Sequence, residues 1–176
     1  MTALRYCPVC AVALVPRGDA HDPSLTRLTC PEAHWTHWDN PVPVVAAVLE
    51  VAGHILLARN AAWTENKFAL IAGFMERGET PEQAVMREVK EETNLDAQAV
   101  KLIGVYEFAQ KNEVILAYHV VASGEISLSE ELLEYRLIAP AKLRPWNTGT
   151  GYALADWMRG QGLVPNFIDW QQNILP

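Results

Sequence analysis

Residues 73–95 read GFMERGETPEQAVMREVKEETNL, and their pattern sets both an element and a chemistry. Thr80 with Gln83 three positions on has the form of a capping box. Pro81 suits the first helical position, where its missing N–H has no intrahelical partner to lose. Asn94 tolerates the left-handed conformation that ends a helix. Pro81 to Thr93 is therefore expected to be helical. Glu91 and Glu92 follow Glu88 by three and four positions, which at about 100° per residue puts all three on one face. Like charges so spaced cost roughly 0.2–0.5 kcal/mol per pair on a bare helix. A cation between them offsets that cost, and oxygen-only ligands point to Mg²⁺ or Mn²⁺. The plain alternative is a solvated acidic face offset by Arg87 and Lys90. The preceding loop favours the cation. Gly78 allows a tight bend, and Glu79 is placed to reach back to Arg87 once the helix folds over. A loop so held can aim a backbone carbonyl at the metal.

Outward from this helix the chain alternates short apolar runs with breakers. The cluster Asp39-Asn40-Pro41-Val42-Pro43 marks a boundary near residue 40. It divides a polar segment 1–40, rich in Pro, His and Cys, from a domain 41–176. Val44 to Val51 reads as a buried strand, Ala52-Gly53 as a turn into a second strand at His54 to Arg59, and Phe68 to Phe74 as a third. After the helix, strands are expected at Val100 to Gln110, Glu113 to Ser123 and Tyr135 to Ile138, then a helix around Tyr152 to Arg159. The sum is an α+β chain, an α/β/α sandwich with a mixed sheet.

The segment Gly73 to Leu95 resembles the Nudix box in its spacing from Gly73 through Glu79 and Arg87-Glu88 to Glu91-Glu92. It departs at Asn94, where that family usually has Gly; Asn is the next best residue at positive φ. The resemblance implies that Glu88, Glu91 and Glu92 coordinate or orient metal, that Gly73 contributes its carbonyl oxygen, and that Glu79 and Arg87 are structural partners. It also implies hydrolysis of a nucleotide diphosphate linkage, with water attacking one phosphorus in line with the leaving phosphate. Which carboxylate acts as base is open. A glutamate beyond the box often joins such a site, and Glu134 in Glu131-Leu132-Leu133-Glu134-Tyr135 is the candidate, a surface charge at a strand start being the equal alternative.

Cys7-Pro8-Val9-Cys10 has the spacing of a metal knuckle, and Cys30 supplies a second arm. Together with Asn40-Pro41 this resembles the zinc-ribbon branch of the Nudix family. Counting from Cys30, the expected fourth ligand falls on Ala33, which cannot bind metal. His34 is adjacent and His37 lies further on, so a Cys3His site for structural Zn²⁺ using His34 is preferred. A metal-free ribbon held by Trp35, Trp38 and packing is the alternative.

That branch includes NADH and FAD pyrophosphatases. The NADH enzymes carry a Ser-Gln-Pro-Trp-Pro-Phe-Pro array after the box, which is missing at Tyr106 to Gln110 here. ADP-ribose enzymes often place a proline there, also missing. The tail ELLEYRLIAP, residues 131–140, is more similar to the FAD-hydrolysing members. Tyr106, Phe108, Trp63 and Phe74 are candidates to stack on a flat ring, or else core residues.

Of the 176 residues half are apolar, enough for one domain with a sizeable core and a small appendage. A net charge of −7 argues against a broad grip on nucleic acid or an anionic membrane and for a small-molecule nucleotide partner. No run is apolar for long enough to span a bilayer, and three cysteines clustered within the first thirty residues suit metal binding in a reducing compartment. A cytoplasmic hydrolase is expected. A homodimer is consistent with the branch. Two other readings stand beside it: a nucleotide-sensing or interaction module without turnover, and removal of a nucleotide cap from RNA.

Overall fold

The computed structural model describes residues 4–19, 22 and 24–170, so the first three and last six residues of the two expected segments fall outside it. The chain divides into two compact units, Met1–Asn40 and Pro41–Pro176. In the first, β1 (Val15–Gly18) pairs antiparallel with β2 (Thr26–Thr29). Isolated bridges Tyr6 to Ala13 and Thr29 to Thr36 close the two turns that carry the cysteines.

The second unit is built on β3 (Val42–Val51), whose six residues Val44 to Leu49 are all buried. A strand buried on both faces needs a layer on each side. Val45, Ala47 and Leu49 pack with Ala84, Val85 and Val89 of α1 (Pro81–Thr93). Their alternates face α2 (Thr150–Gly160): Val44 and Ala46 cluster with Ala153, and Val48 with Leu154, Trp157 and Met158. Alternation along one strand thus produces the sandwich, α1 on one face of the sheet and α2 on the other.

Around β3 the sheet is mixed. β3 turns into β4 (His54–Asn60), paired antiparallel at Leu49–Leu56, and its first half pairs antiparallel with β5 (Ile71–Phe74). On its other edge it runs parallel to β7 (Glu113–Ser123), which pairs antiparallel with β6 (Asp96–Phe108). β8 (Leu132–Ile138) completes the path beyond β4. No helix among the described residues is long and apolar enough to cross a membrane.

Three element boundaries differ from the sequence expectation by three residues or more, each for a physical reason. β6 begins at Asp96, not Val100, because register shifts at Ala97/Ala99 and Leu102/Gly104 break the alternation by which a strand is read. Phe68 to Leu70 are buried but reach the sheet only through the bridge Ala58 to Ala69, so β5 is short. β8 starts at Leu132, its early residues pairing with the end of β4.

Helix α1 carries the capping expected of it. The Thr80 side chain accepts from the Gln83 N–H while the Gln83 side chain accepts from the Thr80 N–H. Asn94 closes it at φ 62°, its N–H donating to the Lys90 carbonyl. Two of the end carbonyls are met from outside the helix: Ser127 N–H donates to Thr93 O and Ser129 N–H to Glu92 O, both at 3.0 Å. These bonds lay the segment before β8 along the end of α1 that carries the glutamates.

Candidate active site

Arg87 organises the loop between β5 and α1. Its guanidinium donates to both carboxylate oxygens of Glu79 at 2.9 and 3.0 Å, to the Phe74 carbonyl at 3.0 Å, to Glu88 Oε1 at 2.8 Å and to Glu91 Oε2 at 3.0 Å. Glu79 in turn accepts the Glu76 N–H at 2.6 Å. Bidentate pairing of this kind fixes direction as well as charge. Hydrogen bonds from Arg87 and Glu76 hold the Glu79 carboxyl below the usual carboxylate range. The loop is therefore pinned at its middle and its end, with Gly78 at φ +95° supplying the bend.

Gly73 sits in β5 opposite Val45, against the Glu88 side chain. A Cβ at Gly73 would overlap the Glu88 carboxylate carbon and both its oxygens. The residue is glycine because carboxylate and backbone approach too closely for any side chain, and so the expected carbonyl donor and the expected carboxylate donor are adjacent.

Glu88, Glu91 and Glu92 share one side of α1 as the spacing predicted, but their environments differ. Glu91 is exposed and ion-paired with Arg87. Glu88 is largely covered, and burial raises its carboxyl against the opposing pull of Arg87. Glu92 is 7 % exposed, has no hydrogen-bond partner for its carboxylate among the described residues, and is pushed up to about 8 by burial and then by the charges of Glu88, Glu131 and Glu91. A buried carboxylate without a partner is costly, and such groups concentrate at functional sites.

Glu131 was not singled out from the sequence, where Glu134 was preferred. Glu134 lies on β8 opposite Arg59 and is ion-paired with Arg136 at 3.4 Å. The added negative charge felt by both Glu88 and Glu92 is that of Glu131, at the exposed end of the loop that Ser129 ties to α1. Glu131 is further held by Ala61, whose N–H donates to the Glu131 carbonyl at 2.7 Å. Both acids stand in the same short run, and the path of that loop gives them different surroundings.

Glu92 and Gly73 open on a cavity of about 500 Å³ that is also lined by Trp63, Phe74, Phe108, Trp146 and Trp170. Three of the four aromatics named from the sequence are in this wall. Tyr106 is not; its hydroxyl donates to Asp156 at 2.9 Å and ties β6 to α2. Trp146 and Trp170, far along the chain, carried no local signal.

A family model described as the NUDIX domain matches residues 39–157, well over half the chain. The chain belongs to the Nudix hydrolase family. It is similar to the NAD-capped RNA hydrolase NudC of Vibrio vulnificus, 31% identical over 116 residues, covering 65% of this chain and 42% of that protein. The chain thus spans less than half the length of that curated relative. Among solved structures, a NUDIX hydrolase from Nitrosomonas europaea superposes with a TM-score of 0.76 at 28% identity, covering 94% of this chain and 99% of that one. An ADP-ribose pyrophosphatase from Streptococcus suis, at 18% identity and a TM-score of 0.58, covers 73% of this chain and all of that one; it shares the fold.

Ahead of the Nudix match, Cys7, Cys10, Cys30 and His34 bring one ligand atom each to within 4.8 Å of one another. Cys10 Sγ and Cys30 Sγ are 3.6 Å apart, and His34 Nδ1 is 4.0 Å from Cys30 Sγ. A tetrahedral zinc with bonds near 2.3 Å to sulfur and 2.0–2.1 Å to nitrogen separates its ligands by roughly 3.6–3.8 Å. The donor set fits zinc with little movement. The two turns are related: Cys7 N–H donates to Val12 O and Cys30 N–H to Trp35 O, five residues on in each case. Ala33 therefore occupies the place of Cys10, and at φ 56° it turns the chain so that the longer side chain of His34 reaches the thiols. His37, the other candidate, stacks on Trp35 and faces Asp39 instead.

Proposed function

We propose that this Nudix hydrolase cleaves the diphosphate linkage of a nucleoside diphosphate derivative with Mg²⁺ or Mn²⁺, releasing a nucleoside monophosphate. The observation that carries the reading is Glu92, which lines the cavity, is buried, has no hydrogen-bond partner for its carboxylate among the described residues, and feels the charges of Glu88, Glu131 and Glu91. Arg87 brings one positive charge to this cluster and already divides it among Glu79, Glu88 and Glu91. The excess negative charge and the all-oxygen donor set fit a hard divalent cation, with Glu88, Glu91, Glu92 and the Gly73 carbonyl as its ligands. When bound, such an ion neutralises diphosphate oxygens and makes water a better nucleophile.

The chain's own groups do the rest. Glu79 and Arg87 hold the loop so that Gly73 stays against Glu88. Glu131, exposed and tied to the end of α1 through Ser129, is the carboxylate we assign to accept the proton of the attacking water, in place of Glu134.

FAD, ADP-ribose and NADH are the substrates this reading favours. The aromatic lining supports a flat ring, and FAD leads because the proline-rich array of the NADH enzymes is missing at Tyr106 to Gln110. A second reading, cleavage of a nucleotide cap on RNA, is favoured by the resemblance to NudC and opposed by the net charge of −7. Purified protein with Mg²⁺ or Mn²⁺ should release AMP from at least one of FAD, ADP-ribose and NADH, detected chromatographically. Inactivity on all three with release of the cap's mononucleotide and formation of 5′-monophosphate RNA from capped RNA would move the assignment to the second reading, and inactivity on every substrate would overturn hydrolysis itself.

We assign Met1–Asn40 as a structural zinc ribbon and Pro41–Pro176 as the hydrolase domain. Cys7, Cys10, Cys30 and His34 would hold the ion, whose contribution is to order a segment too small to order itself by burial. Cytoplasmic thiols remain reduced, which suits the three free cysteines. Cys30→Ser is expected to lower bound zinc from about one per chain to near zero and to open residues before Asn40 to proteolysis. His34→Ala should weaken zinc while His37→Ala leaves it. Metal analysis and limited proteolysis check both, and equal loss in the two His variants would refute the ligand assignment.

A further inference from the structure

Strand β8 ends its sheet, whose order runs β6-β7-β3-β4-β8, and no strand pairs with its outer side among the described residues. A strand so placed presents a row of backbone donors and acceptors to any chain that can pair with it, and folded proteins usually blunt such edges. The opposite edge is blunted. β6 is interrupted by register shifts at Ala97/Ala99 and Leu102/Gly104 and carries Lys101 and Glu107 along its length. β8 has neither lysine nor proline, and its register shift, opposite Arg59/Asn60, leaves Glu134 to Ile138 paired in unbroken register with β4.

One face of this edge is apolar and open. Leu133, Tyr135 and Leu137 alternate along the strand and all three are exposed. On the other face Glu134 and Arg136 form an ion pair at 3.4 Å, and the Arg136 guanidinium lies over the Phe68 ring. The run Leu133-Glu134-Tyr135-Arg136-Leu137 is therefore symmetric in chemistry about Tyr135, with the two charges opposite in sign. A second copy laid antiparallel with Tyr135 opposite Tyr135 sets Leu133 against Leu137 and Glu134 against Arg136, each twice. Sliding one copy by two residues, the smallest step that keeps like faces together, sets Glu134 against Glu134 or Arg136 against Arg136. Opposite charges directly across a strand pair stabilise it and like charges destabilise it. Alternation and charge thus select the same register.

We propose that the outer edge of β8 is a self-association surface, through which two copies of this chain join antiparallel about Tyr135 and merge their sheets into one. The contact is isologous, each copy giving and receiving the same bonds, so it closes at two chains. Main-chain hydrogen bonds supply the attraction, the leucines and tyrosines add buried apolar area, and the Glu134 and Arg136 pairs fix the register. The surface stands independently of the hydrolase reading.

Sedimentation equilibrium on the full chain tests it. The wild-type mass should rise reversibly with concentration from one chain to two. Glu134→Arg and Arg136→Glu each set like charges opposite one another twice per dimer, and each should weaken association about tenfold or more. An equimolar mixture of these two variants should regain the two-chain mass, because every introduced charge then faces its opposite. Tyr135→Asp, at an exposed position on the two-fold axis, should weaken association as well. Thermal melting followed by circular dichroism separates loss of pairing from loss of fold. If Arg136→Glu proves unfolded, Glu134→Arg and Tyr135→Asp decide alone. A wild-type chain that stays single at every concentration, a dimer that survives both Glu134→Arg and Tyr135→Asp, or no recovery on mixing the two folded charge variants overturns the surface.

Discussion

Glu92→Gln is expected to reduce kcat by about 10³-fold or more while leaving the fold intact, because it removes one anionic oxygen where the metal charge is needed. About 4 kcal/mol of transition-state stabilisation corresponds to that factor and is within what one cation contributes. The variant keeps the shape of the side chain, and the buried site loses a charge it could hardly accommodate, so metal-free stability should rise. The pH dependence follows with a definite sign. Burial and the neighbouring carboxylates push Glu92 up to about 8 in the folded chain, against 4.5 for the free group. Between those values the folded form retains a proton that the unfolded form has released. Its stabilising contribution is complete below about pH 4.5 and is lost as pH rises through about 8. With Mg²⁺ and Mn²⁺ withheld, the melting temperature should therefore fall from pH 5 to pH 8. Adding Mg²⁺ should raise it most at the upper end, and Glu92→Gln should flatten both trends. Calorimetry across that pH range checks this; a melting temperature that rises with pH in metal-free wild type and not in the variant would refute the placement of Glu92.

Gly73→Ala should be nearly as damaging to activity, by a different route. The backbone of Gly73 is ordinary strand, paired with Val45, so alanine is acceptable to it in conformation. The obstruction is the Glu88 carboxylate, where the new methyl would have to sit. That carboxylate is the far end of a flexible side chain, and the cheapest relief is for Glu88 to swing away, breaking its bond to Arg87. The fold survives and the ligand set does not. Displacement of a catalytic group by about 1 Å can cost 10²-fold, and a loss of at least about 10²-fold in kcat/KM is expected here, with weaker Mn²⁺ binding by titration and a melting temperature close to wild type. Retention of full activity would show that Glu88 does not need its observed position. The contrast with Glu92→Gln is informative, since one variant removes charge and keeps geometry while the other keeps charge and moves it.

The parts of this site that the sequence made legible are those joined by short range along the chain. The capping box of Thr80 and Gln83, the left-handed Asn94, the return of Glu79 to Arg87 and the common face of Glu88, Glu91 and Glu92 all lie within residues 73–95. Helical periodicity and turn chemistry determine such relations whatever the rest of the molecule does. The cysteine spacing behaves the same way, and His34, preferred from the sequence for standing next to Ala33, is brought to the thiols with Ala33 at φ 56°.

Elsewhere the chain's local pattern was insufficient. The start of β6 was masked because bulges interrupt alternation along an edge strand. Glu131 and Glu134 were equivalent as residue types three positions apart. Ser127 and Ser129 bond to the last carbonyls of α1, and of the two it is Glu131 whose charge is felt at Glu88 and Glu92. Trp146 and Trp170 reach the cavity only because the final described segment docks on Pro145 to Asn147.

The amino-acid sequence by itself determined the helix, its carboxylate face, the loop that holds it and the spacing of the three cysteines. The tertiary structure alone decided how the charge of Glu131 reaches Glu88 and Glu92, how deeply Glu92 is buried and which aromatic rings share its cavity. Those contacts span tens of residues, so they depend on strand register and on the packing of β3 between α1 and α2, and no local periodicity encodes either.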